Sequence, residues 1–365
     1  MTTTIRAQGP RDLLAYVPYR LGYRPRDSVV LVGLRGDRAR VGLVVRVDTA
    51  DLADLEHGPQ VARTVLGHLV ADGARDVVVV AYTDEPDVCT ARDRAAVEHC
   101  LEVVEPAFGP THAWVVAPSG WRGLDCTDDG CCPPGGRPLR ELESSVVGAH
   151  MVLAGARVAD SRESALRIAA AGPEDRRRAA RAARRSRARR AEQHACSWRE
   201  DGLAAWRLAV TTATTAPPGT PPVPAALVGR VEAALEAVPV RDAVLLSLVP
   251  GAPGLPDLVV QGADADTATA EAIRRIVDPA VALAPDPDVT DPARTVLEAV
   301  VAHAVRGRRA PALTLLALVA WWHGDGARAA ERVREALGED PAYRLALLLS
   351  SAVEAGVPPG WVRQA

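Results

Sequence analysis

The chain predicts an α/β domain with a mixed, mostly parallel five-stranded sheet and covering helices, followed by an all-helical C-terminal half. Three observations lead there. Short β-branched runs alternate with helically spaced apolar segments through the first third of the sequence. Beyond Leu139 the strand-like runs cease and helical spacing continues almost to the end. At 365 residues the chain has room for two domains.

The elements follow in order. Ser28–Leu34 and Val41–Val47 are rich in valine and leucine, and Gly36-Asp37 between them makes an antiparallel hairpin. Pro59–Ala71 carries Val61, Val65, Leu66 and Leu69 at helical spacing. Asp76–Tyr82 is an apolar run of the kind buried on both faces. Ala91–Val104 is a second helix, His112–Ala117 a fourth strand and Trp121–Cys126 a fifth. Helical crossovers place the second, third and fourth strands parallel, with right-handed connections. Short turns make the first and fifth antiparallel.

Leu139–Ala154 closes this domain, taken as residues 1–158. Residues 159–210 form a helical, arginine-rich connector, with Pro173 opening a helix that runs to Glu192. Residues 211–224 read as a linker, because threonine and proline oppose a helix there. Residues 225–365 form a helical domain, with helices at Ala225–Ala237, Ala268–Val277, Ala293–Val305, Ala312–Trp322, Ala327–Leu337 and Tyr343–Glu354. Pro250–Pro256 and Pro285–Pro292 read as loops. Gly324-Asp325, Ala329, Val333, Ala336-Leu337 and Asp340-Pro341 follow the turn and second helix of a tetratricopeptide repeat, so the domain is expected to end in a tetratricopeptide-like hairpin.

Composition excludes several chemistries. All 43 basic residues are arginine. Without lysine there is no Schiff base, no Walker A loop and no kinase lysine. Without asparagine there is no N-glycosylation acceptor. The net charge of -3 gives no general reason for nucleic-acid or membrane binding. Neither a secretory signal nor an apolar run of spanning length is visible, so a cytoplasmic protein with reduced thiols is expected.

Several segments together resemble a known family. They are Leu13–Val30, which includes Pro18, Gly22 and Pro25, then Arg46-Val47-Asp48, Cys131-Cys132-Pro133 with Gly136, Ser161-Arg162-Glu163, and Ala320-Trp321 through Asp340-Pro341. The chain resembles the domain-of-unknown-function 4192 family, an actinobacterial group. The resemblance spans nearly the whole sequence and implies one evolutionary unit, but supplies neither activity nor catalytic residue.

The topology points to one rim. Ligands of open α/β sheets bind beyond the carboxyl ends of parallel strands. Arg46, Asp48, Thr83, Asp84, Glu85, Asp87 and Ser119 belong there, joined by Tyr23, Arg24, Arg26, Asp27 and Ser28 before the first strand and by Trp121. Asp48 with Asp84 or Glu85 could hold a divalent cation or work as an acid–base pair, and Arg24 or Arg46 could hold an anion. The competing reading is a set of turn and capping residues.

At the other end of the sheet, Cys126, Cys131 and Cys132 crowd into a loop rich in glycine and proline. Zinc would need a remote fourth ligand such as His99, Cys100 or His150. A reactive thiol and a simply buried cluster are the other readings. Cys89 and Cys196 have no evident partner, and His323 reads as a helix-end residue. Arg176–Arg190 holds nine arginines and no acid, which allows a solvated helix, an acidic protein partner or, less well, a nucleic acid.

The leading expectation is a regulatory or scaffolding protein. Its helical half would contact a protein partner and its rim a small anionic ligand. The alternatives are a metal-assisted hydrolase or transferase using the rim carboxylates, and nucleic-acid binding through the arginine-rich helix.

Overall fold

The computed structural model describes residues 9–37, 39–85, 90–217 and 221–364. The described chain divides between Arg167 and Ile168 into two compact units.

The first unit opens with helix α1 (Pro10–Leu21), which the sequence reading missed. Proline suits its first turn, Leu13, Leu14 and Val17 form a buried stripe, and Gly22 at φ 80° ends it. Pro18 inside the helix disguised this pattern. Then come β1 (Ser28–Arg35), β2 (Arg40–Asp48), α2 (Thr49–Leu52), α3 (Gly58–Ala71), β3 (Ala74–Tyr82), α4 (Ala91–Phe108), β4 (Ala113–Ala117) and β5 (Gly120–Gly123). The unit ends with α5 (Arg140–Glu143), α6 (Val146–Leu153) and α7 (Arg162–Leu166). The single helix expected over Leu139–Ala154 is therefore two, because Ser145 starts a new one by accepting the Gly148 N–H at 2.9 Å.

The five strands form one mixed sheet in the order β2-β1-β3-β4-β5. The expected directions hold, since β2, β3 and β4 point the same way. The expected neighbourhood does not. β1 lies between β2 and β3, so only the β3–β4 ladder is parallel and the other three are antiparallel. The burial patterns explain the order. From Ser28 to Gly33, β1 is buried or apolar on both faces, as a central strand must be, whereas β2 carries Arg40 and Arg46 and suits an edge.

One sheet face meets α1: Val30, Val32, Val80, Tyr82 and Trp121 pack with Leu13, Leu14 and Val17. The other carries Val29, Leu31, Val79, Ala81 and Val115, which pack with Leu52, Val65, Leu69, Val97 and Val104 from α2, α3 and α4.

The second unit is helical: α8 (Pro173–Glu192), α9 (Ala195–Thr215), α10 (Ala225–Leu235), α11 (Val238–Leu246), α12 (Leu255–Gln261), α13 (Asp266–Val277), α14 (Pro287–His303), α15 (Ala310–Trp322), α16 (Gly326–Glu339), α17 (Arg344–Glu354) and a 3₁₀ turn at Gly360–Gln364. Three expected breaks are helical in part. α9 runs through the threonines of the supposed linker, where Thr211, Thr212, Thr214 and Thr215 return their hydroxyls to carbonyls four residues earlier. α12 and α14 begin inside the two proline-rich segments, using proline in the first turn, where its missing N–H costs nothing.

The arginine-rich helix is not a free rod. Ala179, Ala182 and Ala183 form a buried stripe, and α8 presses so closely on α10 that a Cβ on Gly229 would stand 2.0 Å from the Ala179 carbonyl oxygen. Arg187 donates to Glu236 at 2.7 Å and to the buried Glu232 at 2.5 Å. The Arg190 guanidinium lies 5.3 Å from the centre of the Trp198 ring. Among the described residues no helix is long and apolar enough to cross a membrane.

Candidate functional site

Strand register builds the rim. A single row crosses the whole sheet: Asp48 on β2, Ser28 on β1, Tyr82 on β3, Val116 on β4 and Trp121 on β5. These side chains share one face, because residues paired across a ladder do. Arg46 stands in the next row opposite Val30, diagonal to Ser28 and on the same face.

The rim carboxylates do not converge. Asp48 takes the Arg46 guanidinium at 2.7 Å, Asp84 faces Arg26 at 3.5 Å, and Glu143 takes Arg24 at 3.4 Å. β1 separates Asp48 from the strand that leads to Asp84 and Glu85, a gap of about 9.5 Å across two ladders. The expected cation or acid–base pair of Asp48 with Asp84 or Glu85 is therefore not assembled. Glu85 donates its backbone N–H to Thr83 Oγ1, and Ser119 is exposed in the β4–β5 turn. Asp87 and Cys89 lie outside the described residues.

Asp27 ties the strand ends together. Its carbonyl accepts the Thr49 N–H at 2.9 Å and its carboxylate the Asp84 N–H at 3.3 Å. It does so at φ 39°, a left-handed conformation that a non-glycine residue adopts only under constraint.

Below this salt-bridged surface the row is different. Ser28 Oγ, Arg46 Nε, Tyr82 Oη and Trp121 Nε1 are buried, and none has a hydrogen-bond partner. Ser28 and Tyr82 stand directly opposite each other. Burial pushes the Tyr82 phenol far above its ordinary range, so it stays protonated and able to donate. Arginine and indole nitrogens only donate. Two of these four atoms can only donate, and the two hydroxyls can donate or accept. Sequence reading found Ser28, Arg46 and Trp121 but took Tyr82 for a simple core residue. Its only signal was its place at the end of a strand.

The cysteine loop starts where β5 ends and doubles back along that strand. Trp121 and Arg137 exchange backbone hydrogen bonds at 2.9 and 2.8 Å, closing it. Gly136 at φ 83° makes the return, and its Cβ position is only 3.1 Å from the Trp121 nitrogen. The Arg137 guanidinium sits 5.5 Å from the Trp121 ring centre. Within the loop the Asp128 carbonyl accepts the N–H groups of Cys131 and Cys132, at 3.1 and 2.7 Å. This gathers the sulfur atoms of Cys126, Cys131 and Cys132 within 4.8 Å of one another.

The three thiols differ in setting. Cys132 is buried, Cys126 half-buried and Cys131 exposed. Burial pushes the Cys132 thiol up. The Gly123 N–H at 3.3 Å, the neighbouring thiols and the Arg122 charge outweigh it, and the net shift is downward. The Cys131 thiol is pushed up to about 11 by its hydrogen bond and charge interaction with Cys132, then by Cys126.

The remote fourth ligands expected from sequence are not brought in. His99 Nδ1 lies 2.7 Å from the Leu52 carbonyl oxygen, Cys100 is a core thiol pushed up to about 12 by burial, and His150 is exposed on α6. His323 ends α15 and meets the Thr290 hydroxyl at 2.8 Å, as a helix-end residue should.

A family pattern described as a domain of unknown function (DUF4192) matches residues 10–360. The chain belongs to the DUF4192 family. The match runs from α1 to the closing 3₁₀ turn, so both units fall within the DUF4192 domain. No curated protein and no solved structure matches the chain.

Proposed function

We propose that this DUF4192 protein is a cytoplasmic regulatory or scaffolding protein whose α/β unit takes up a small, acceptor-rich ligand, a carboxylate or phosphate. The observation that supports it is the set of Ser28 Oγ, Arg46 Nε and Tyr82 Oη on the adjoining strands β1, β2 and β3, buried without partners. A buried donor without a partner forfeits about 1–3 kcal/mol, which an anionic oxygen would restore. The paired rim carboxylates favour this reading over a metal-assisted enzyme. The helical unit is the half that contacts a protein. The tetratricopeptide-like sequence pattern of the turn at Gly324-Asp325 and of α16, and the exposed Leu347 and Leu348 of α17, support that part.

Thermal unfolding against a panel of carboxylates and phosphates tests the ligand. A true ligand at a hundred times its dissociation constant raises the melting temperature by about 5 °C or more. Arg46→Ala and Tyr82→Phe each abolish the rise while the variants still fold. If no compound stabilises the protein, and a crystal structure shows only ordered water on these three groups, the ligand reading is wrong.

A further inference from the structure

The cysteine loop carries a second site, independent of the set of Ser28, Arg46 and Tyr82. We propose that Cys126, Cys131 and Cys132 bind one zinc ion through three thiolates and leave its fourth position to a water or an incoming donor.

The geometry argues for it first. Tetrahedral zinc with sulfur at about 2.3 Å sets its ligand sulfurs about 3.8 Å apart. The Cys131 and Cys132 sulfurs stand 3.9 Å apart, and all three lie within 4.8 Å of one another. Among the described residues this is the one group of three or more metal-capable side chains so gathered. The small contraction needed is within the reach of a glycine-rich loop.

The surroundings argue for it second. The Gly123 N–H meets Cys132 Sγ at 3.3 Å, a hydrogen bond that stabilises a thiolate and orients it as a ligand. Gly123 also lets the loop approach closely, since a Cβ there would stand 3.1 Å from the Cys126 Cβ. Arg122, whose Nε is buried with no partner, brings positive charge toward Cys132. Three thiolates on a dication leave one net negative charge, which that guanidinium offsets.

No fourth histidine, cysteine, aspartate or glutamate among the described residues joins the group. Asp125 is engaged by Arg94 at 3.0 Å, and the Asp128 carboxylate accepts the Gly130 N–H at 2.9 Å. A zinc with three protein ligands is open at the fourth. The loop closes on the free edge of β5 at Trp121, so the ion would also pin the cover of that edge.

The test is metal content of the full chain, purified reduced and without chelator from zinc-supplemented cells. About one zinc per chain is expected, falling at least fivefold in Cys131→Ser and in Cys126→Ser and unchanged in Cys196→Ser. Cobalt substitution should give the intense visible bands of a tetrahedral thiolate site, and an added external thiol should shift them by entering the open position. The wild type decides even if a variant fails to fold. Wild-type protein that stays folded, keeps its thiols reduced and takes up no stoichiometric zinc or cobalt overturns the site. Cobalt bands unmoved by any external ligand overturn the open fourth position. Neither result touches the ligand reading of Ser28, Arg46 and Tyr82.

Discussion

In the helical unit the indole N–H groups of Trp198, Trp206, Trp321, Trp322 and Trp361 each reach an oxygen, at 2.7 to 3.2 Å. In the α/β unit Trp121 reaches none, and neither do the buried polar atoms of Ser28, Arg46, Thr49, Tyr82 and Arg122. Backbone supply explains the contrast for Ser28 and Tyr82, which stand on the central strands β1 and β3. Helices end in carbonyls with no intrahelical partner, and loops carry more. Leu283, Trp322 and Val357 offer such carbonyls to the tryptophans. A sheet interior has no such surplus, because its ladders consume the carbonyls. A polar side chain on a central strand is thus satisfied by another side chain, by water or by a ligand. The helical unit reads as a finished interior and the sheet as one awaiting something.

Substitutions can break or sharpen this contrast, and the largest effect is expected in the helical unit. Gly229→Ala drives a methyl into the Ala179 backbone at the α8–α10 crossing. A loss of about 3 kcal/mol is expected in urea unfolding, and a neutral result would mean the helices can separate freely. Next comes Arg187→Ala, which strands Glu232 at 7% exposure and should cost about 2–3 kcal/mol. Burial already pushes the Glu232 carboxyl up against the opposing pull of Arg187. Without the arginine, a larger share of the loss should return as pH falls and Glu232 protonates. A pH-independent deficit would contradict the pairing.

A matched pair of conservative changes addresses the contrast directly. Trp322→Phe should cost about 2 kcal/mol, because it empties volume and leaves the Leu283 carbonyl unpaired. Tyr82→Phe in the absence of ligand should lie within about 0.5 kcal/mol of wild type or be stabilising, because it deletes a hydroxyl without a partner. Equal costs for the two would erase the distinction drawn here.

The smallest effect is a pH dependence. Burial holds the His323 imidazole below its ordinary value; Arg294 adds to this, and Asp291 and Asp325 oppose it more weakly. Well above the ordinary histidine range it is uncharged in both folded and unfolded chains and contributes nothing. As pH falls through the ordinary histidine range, the unfolded chain takes the proton first, so stability declines. His323→Gln should flatten the decline between pH 7 and pH 5 in thermal unfolding. An identical slope in the variant would locate the effect elsewhere.

Much of the fold was legible in local pattern. The valine runs of β1 and β3, the hairpin at Gly36-Asp37 and the bounds of α8 from Pro173 to Glu192 all appear in the sequence and in the structure. What failed turned on proline and threonine. Pro256 and Pro287 read as loop residues, yet each opens a helix, and Pro18 sits inside α1, which the sequence reading missed. Thr211–Thr215 read as linker and stays helical by bonding its hydroxyls back to its own turn. The site divided in the same way. Register could be read only once strand order was known, so the place of Tyr82 opposite Ser28 escaped and the paired carboxylates looked convergent.

By itself the amino-acid order determined which segments are helix and which are strand, because side-chain periodicity and burial act within a few residues. It also placed three cysteines in one loop, since spacing along the chain is local. Only the tertiary structure decided that β1 separates β2 from β3, which sets Asp48 apart from Asp84 and Ser28 against Tyr82. That choice rests on how completely each strand can be buried, a competition among distant segments that no local stretch encodes.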